Sequence, residues 1–275
     1  MLRSAASLLL AASAFAAQAA ERTPSANVRQ EAIRSHVEFL AGDLLEGRAA
    51  ATRGYDIAAA YVASQFRQSG LSAGGDTETF FQTVPLLEAT PVLPGSAAEL
   101  VLEKQTHTFE YGTHYLPSAD FLSASSTLSA PLVFVGYGVV APELEHDDFR
   151  DIDVKGRIAV LFSGAPAKFP NNQRAYYSST LTKWTTLSER GAVGAIMIDS
   201  MVDARRVPWE RSVSMSWTPQ MRWLDQQGEP QNAFPQLKLR FRFNHVAAPQ
   251  LFESSPTTFE QALAAADAGE QQAFE

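Results

Sequence analysis

The sequence predicts an α+β chain, a helical N-terminal segment followed by a β-rich region with flanking helices, from three observations. Apolar residues recur at helical spacing between residues 30 and 70, the period changes to two from about residue 97, and helix signals return near residues 179 and 258. In the first helix Ile33, Val37 and Leu40 share one face, and in the second Ala58, Val62 and Phe66 do, with Ile57 and Tyr61 beside them. Asp56 stands in the first turn of that helix and Gly70 closes it.

The elements follow in order. Gly74-Gly75-Asp76 breaks the helical pattern, and Thr79 to Leu86 reads as a strand ending in Pro85. Pro91, Pro94 and Gly95 mark a linker, which sets a transition near residues 88–97. Glu99 to Glu103 and Thr106 to Tyr111 flank Lys104-Gln105 as a hairpin. The apolar run Pro131 to Val140 suits one strand buried on both faces, as do Arg157 to Phe162 and Ala195 to Ile198. Between the last two, a helix capped by Ser178 or Ser179 and ended by Gly191 carries Leu181, Trp184 and Leu187 on one face. Residues 208–235 show no period and read as a surface excursion. Leu237 to Phe243 alternates strictly, predicting one buried and one basic, wet face. Thr257 and Glu260 predict a capping box for a last helix whose apolar face is Phe259, Leu263 and Ala266.

Composition narrows the function. A net charge of −8 argues against nucleic acid or an anionic membrane as partner, since both need a basic face. Absence of cysteine excludes disulfides, thiolate metal sites and a cysteine nucleophile. The N-terminus reads as an export signal, 1–20. Arg3 precedes an apolar run, Leu8 to Ala17, and Ala17-Gln18-Ala19 is a small-x-small cleavage site. Cleavage near Ala19 predicts a periplasmic or secreted protein with no membrane attachment afterwards. The loop Ser163 to Pro170 after a strand lacks both G-x-G-x-x-G and a glycine-lysine pair, so no phosphate cradle is expected.

Particular phrases carry a family resemblance. Leu40-Ala41-Gly42-Asp43, Leu45-Glu46-Gly47-Arg48, Arg53-Gly54-Tyr55 and Ala58-Ala59-Ala60-Tyr61 resemble the N-terminal signature of secreted di-zinc aminopeptidases. These are relatives of glutamate carboxypeptidase and the transferrin receptor that carry an inserted protease-associated domain. The strand phrase Phe81-Gln82-Thr83-Val84-Pro85-Leu86 is similar to the one preceding that insertion. Gly136-Tyr137-Gly138, Asp147-Asp148-Phe149, Val154 to Val160 and Arg190 to Ile198 resemble the protease-associated domain itself. The resemblance implies a peptidase-domain portion at 21–90, a protease-associated domain at 91–253, and a helix at 254–275 leading toward a catalytic domain.

It also implies two zinc ions and peptide substrates for a full-length enzyme, with this chain shaping access to the active site. The catalytic domain, expected beyond Glu275, is the implied partner. The five histidines, His36, His107, His114, His146 and His245, are read as lying outside ligand motifs, and no Glu-Glu dipeptide occurs. No catalytic, metal-binding or cofactor-binding residue is therefore expected in this chain, and no activity from it alone. A stand-alone periplasmic interaction module of protease-associated type is the alternative.

Other candidates are weaker. His36 reads as a core or interface histidine, and His107 and His114 as residues bracketing a hairpin. The acidic run Glu143, Glu145, His146, Asp147, Asp148, Asp151 and Asp153 reads as a solvated loop, lacking the spacing of a calcium loop. Ser163 lacks a G-x-S-x-G context. As substrate-access candidates the resemblance offers Glu46 and Arg48, in a turn near the catalytic mouth. Arg174, Tyr176 and Tyr177 join them because tyrosine and arginine combine contact area with directed hydrogen bonds.

Overall fold

The computed structural model describes residues 29–92, 95–270 and 272–274, so the expected export signal at 1–20 and its cleavage site lie outside the described residues. Helices and strands mix in an α+β fold, and the chain divides into two compact units, Met1–Thr83 and Val84–Glu275. The division falls just ahead of the transition set at 88–97. Among the described residues no helix is long and apolar enough to cross a membrane.

In the first unit, α1 (Gln30–Leu40) and α2 (Arg53–Gln68) are joined through a 3-10 turn at Asp43–Leu45. Thr52 caps α2 by accepting the Tyr55 amide, and Gly70, at φ 77°, ends it while the Leu71 amide returns to the Phe66 carbonyl. The core is small: α1 has no buried residue, and Leu45, Gly54 and Ala63 are the only buried described residues of this unit. Ile33, Val37, Phe39, Leu44, Val62 and Phe66 are exposed, Leu44 at 93%. His36, expected at a core or an interface, is exposed within this unit; its Nδ1 meets the Tyr61 hydroxyl at 2.8 Å, and the Tyr61 ring stacks on Phe39. Residues 79–84 form no strand. Asp76 straps them instead, its amide donating to the Phe81 carbonyl and its carboxylate accepting the Thr83 amide.

The second unit begins with β1 (Leu86–Ala89), followed by the hairpin β2 (Ala98–Val101) and β3 (Thr106–Phe109). Then come β4 (Tyr115–Pro117), β5 (Leu132–Phe134), the short pair β6 (Val140–Ala141) and β7 (His146–Asp147), and β8 (Ile158–Phe162). Helices α3 (Asn171–Tyr177) and α4 (Thr180–Glu189) lead to β9 (Gly194–Ile198). After α5 (Met201–Arg206) and α6 (Trp209–Met215) the chain forms β10 (Gln220–Trp223), β11 (Leu239–Phe243), α7 (Ala248–Leu251) and α8 (Phe259–Ala268).

Five strands form the central sheet in the order β4-β11-β9-β8-β5, parallel except for β4. Alternation along each strand feeds two cores. Phe134, Val160, Phe162, Ile196, Ile198 and Phe243 pack with Phe252, Phe259 and Leu263, so α8 belongs to this core. Val133, Ala159, Leu161 and Ala195 pack on the opposite side with Trp184 and Leu187 of α4. Fully burying each of the valine, leucine, isoleucine and phenylalanine side chains contributes about 1.5–3 kcal/mol, which sets the register of the sheet.

Several sequence expectations change. The run 131–140 is not one strand: β5 ends at Phe134, and Gly136 and Gly138, at φ 51° and 65°, fold the chain back into β6. Residues 208–235 are not structureless, since they hold α6 and β10, and β10 pairs antiparallel with β1. The basic face of β11 is not wet. Arg240 is buried and donates to the Ala119 carbonyl, and Arg242 pairs with Asp199. The capping box is Thr258 with Gln261, one residue later than expected.

Candidate functional site

The turn at Gly136-Tyr137-Gly138 crosses the end of β5 and needs its amides satisfied. Asp148 supplies this, its Oδ2 accepting the Tyr137 amide at 3.1 Å and the Val139 amide at 2.9 Å. A side chain at Gly136 would meet that carboxylate at 3.1 Å, so the glycine is what permits the approach. The acidic run is thus not simply a solvated loop: His146 and Asp148 are both buried. His146 Nε2 lies 2.9 Å from Asp148 Oδ1, outside hydrogen-bond geometry, and its ring stands edge-on to Phe169.

His146-Asp147-Asp148 has the His-x-Asp spacing, which the sequence reading passed over. The two side chains face each other in the core, and among the described residues no group of three or more His, Cys, Asp or Glu could hold a metal ion.

Lys183 reaches the same place from α4. It is 1% exposed, its Nζ donates to the Tyr137 carbonyl, and it lies 5.8 Å from the Tyr137 ring centroid. Burial pulls the amine down to about 7, against the opposing pull of Asp148 and Asp203. The Tyr137 phenol is pushed up to about 12, first by burial and then by the Asp267 carboxylate. Beside them Ser163 donates to Asp203 at 2.6 Å and accepts the Ser200 amide at 3.0 Å, joining the loops that leave β8 and β9. Of the apolar face expected on this helix, Leu181, Trp184 and Leu187, the last two are buried but Leu181 is exposed, and Lys183, one turn before Leu187, takes a buried position beside them.

This arrangement can hold and orient backbone, but a lysine sealed to 1% has no path to a substrate. It is a positioning cluster for the 136–138 turn. Asp148→Asn is expected to cost about 1.5–3 kcal/mol, the worth of hydrogen bonds to a charged acceptor, because a neutral oxygen would replace the carboxylate that takes both backbone amides. Urea unfolding followed by tryptophan fluorescence checks it, and an unchanged midpoint would contradict the assignment.

An open cleft of about 600 Å³ lies at the carboxyl ends of β9 and β11, lined by Asp199, Trp209, Glu210, Val213, Asn244 and His245 among others. Parallel sheets commonly bind ligands at such ends. The polar groups here are largely spent internally. Arg242 grips Asp199 through Nε at 2.8 Å and Nη2 at 2.5 Å, and reaches the Ser212 hydroxyl at 2.7 Å. His245 Nε2 sits 2.6 Å from the Asp199 carbonyl, and the Trp209 indole donates to the Gly112 carbonyl at 2.7 Å. Glu210 stays exposed.

The expected access residues are placed as follows. Arg174 and Tyr176 are exposed on α3, Tyr176 at 61%, while Tyr177 turns inward against Phe169. The Tyr177 hydroxyl donates to Glu143 at 2.8 Å, and burial followed by that carboxylate pushes the phenol up to about 12. Glu46 and Arg48 lie in the first unit in left-handed conformation, at φ 51° and 55° around Gly47. His107 and His114 do not converge: His107 meets Glu253, whereas His114 Nδ1 accepts the Glu110 amide.

No protein-family model matches the sequence, and no curated protein does. Among solved structures, an aminopeptidase from Aneurinibacillus sp. strain AM-1 superposes with a TM-score of 0.35 and 15% identity, over 81% of this chain and 40% of that one. Two structures of BSAP, a zinc aminopeptidase from Bacillus subtilis, superpose with TM-scores of 0.28 and 0.26 at 19% and 17% identity. Each aligns with 61% of this chain, and the chain spans 34% of their length.

Proposed function

We propose that this chain is a non-catalytic part of a secreted zinc-dependent aminopeptidase. Residues 21–90 contribute an edge of the peptidase domain, and 91–253 act as a protease-associated domain that shapes access to its active site. The observation that carries the reading is the first unit's helical pair. It bears the phrases from Leu40 to Tyr61 that resemble the peptidase signature, yet leaves Ile33, Val37, Leu44, Val62 and Phe66 exposed. Apolar side chains gathered on so small a core favour a covering partner, and the catalytic body of the enzyme is the partner proposed. Arg174 and Tyr176 are the surface residues proposed to border the peptide's path.

In that enzyme two zinc ions would polarise the peptide carbonyl and activate water, with a glutamate as base. Those ligands are proposed to come from polypeptide outside this chain. The full chain alone is expected to retain no stoichiometric zinc after dialysis and to release no amino acid from peptide substrates. Coexpression with the segment encoded after codon 275 is expected to give chelator-sensitive turnover. A downstream frame without His-x-Asp and Glu-Glu motifs, or tight zinc in the chain alone, would overturn the reading.

A further inference from the structure

Between the β2–β3 hairpin and the face of the central sheet lies a cavity of about 630 Å³. Its walls are Leu100 and Phe109 from the hairpin, Leu132, Ile158, Ile196 and Phe241 from the sheet, and Leu251 from α7. The space is partly open to solvent, and small-molecule sites run from roughly 300 to 1,000 Å³, so its volume is that of a ligand site. Dry apolar cavities far smaller take up apolar guests.

Two further observations fix the guest's chemistry and its route. Glu99, the one charged residue among the described lining residues, stands on the exposed outer face of β2 between the inward Ala98 and Leu100, and His107, at the mouth, is already engaged by Glu253, so an anionic head would find no free counter-charge inside. The polar lining is otherwise serine: Ser255 is bound to the Phe252 and Thr257 carbonyls, with Ser129 and Ser254 nearby. Across the opening, Glu253, flanked by the lining residues Leu251 and Ser254, accepts from Gln105 and meets His107 Nε2 at 2.5 Å. His107 is the cross-strand partner of Leu100, so it stands on the cavity side of the hairpin. This contact latches the hairpin to the segment after α7.

We propose that the cavity is a binding site for an uncharged aliphatic amphiphile, with the β2–β3 hairpin as a flap latched through Glu253 to Gln105 and His107. Straight-chain alcohols from hexanol to decanol, titrated calorimetrically into the full chain, are expected to bind roughly fourfold tighter per added methylene. Octanoate is expected to bind at least tenfold more weakly than octanol, because its carboxylate would lose hydration with no free cation to meet it.

Leu100→Trp, at a half-buried hairpin position, should fill the space and weaken octanol at least tenfold. If that variant fails to fold, Leu251→Trp tests the opposite wall. Methyl resonance shifts in the unmodified chain should concentrate on Leu100, Leu132, Ile158, Ile196 and Leu251. Glu253→Gln should speed octanol dissociation several-fold, and an unchanged rate would remove the latch. Shifts confined to Ile33, Val37 and Leu44, equal affinity for octanol and octanoate, or no dependence on chain length would overturn the site.

Discussion

Urea unfolding is expected to show a stability that climbs from pH 7 to about pH 10 and falls above it. The rise comes from Lys183. Its folded value of about 7 lies below its ordinary 10.5, so between those limits the unfolded chain binds more protons and stability increases with pH. The contribution is complete above 10.5 and lost as pH falls through 7. A separation of that size is worth roughly 5 kcal/mol at most, and about three of its three and a half units lie below pH 10.

The fall comes from Tyr137 and Tyr177. Both phenols are raised from 10 to about 12, so their stabilisation is complete below 10 and lost as pH climbs through 12. All four tryptophans, Trp184, Trp209, Trp217 and Trp223, lie in the second unit, so their fluorescence reports the unit that holds Lys183. Lys183→Met should flatten the rise between pH 7 and pH 10 while leaving the fall in place. A flat profile in the unsubstituted chain would show that Lys183 is not sealed as the geometry has it.

Lys183 also illustrates what a sequence discloses. Helices and short buried strands were legible because their signals are local. The stripes of α1, α2 and α4 fall inside the observed helices, and the runs expected at 157–162 and 195–198 lie within one residue of the observed strands. The reversal after Phe134 was not legible, because hydropathy is uniform from Pro131 to Val140 and the turn depends on Asp148, which lies 11 residues from Tyr137 and 9 from Val139.

Strand β11 misled for a related reason. Strict alternation tells which residues share a face, not whether the second face meets water or buried acceptors such as the Ala119 carbonyl and Asp199. The pairing of β10 with β1 joins segments more than a hundred residues apart, beyond the reach of any local period. Of the candidate residues on α3, Arg174 and Tyr176 are exposed, while Tyr177 turns inward and anchors the helix through Glu143. The buried polar cluster stayed hidden because an acidic run resembles a loop until its partners, Lys183 and two backbone amides, are known.

Gly54→Ala separates two physical predictions of opposite sign. By helix propensity alone, alanine inside α2 should stabilise by about 1 kcal/mol. The packing says otherwise. A Cβ on Gly54 would lie 1.8 Å from the Leu45 carbonyl oxygen and 2.7 Å from its carbon, and both are backbone atoms that no rotamer change can move. The α2 N-terminus and the 3-10 turn would have to separate, which exposes Leu45, one of only three buried described residues in this unit. Overpacking in a well-filled core costs about 1–3 kcal/mol, and a core this small has little reserve against it. The clash should therefore win, with hydrogen-exchange protection lost across 53–68 and part of the far-ultraviolet helical signal lost with it. Tryptophan fluorescence should report an unchanged unfolding midpoint, since every tryptophan lies beyond Thr83. Protection in α2 that survives or strengthens would mean that propensity governs this helix and that its close approach to Leu45 is dispensable.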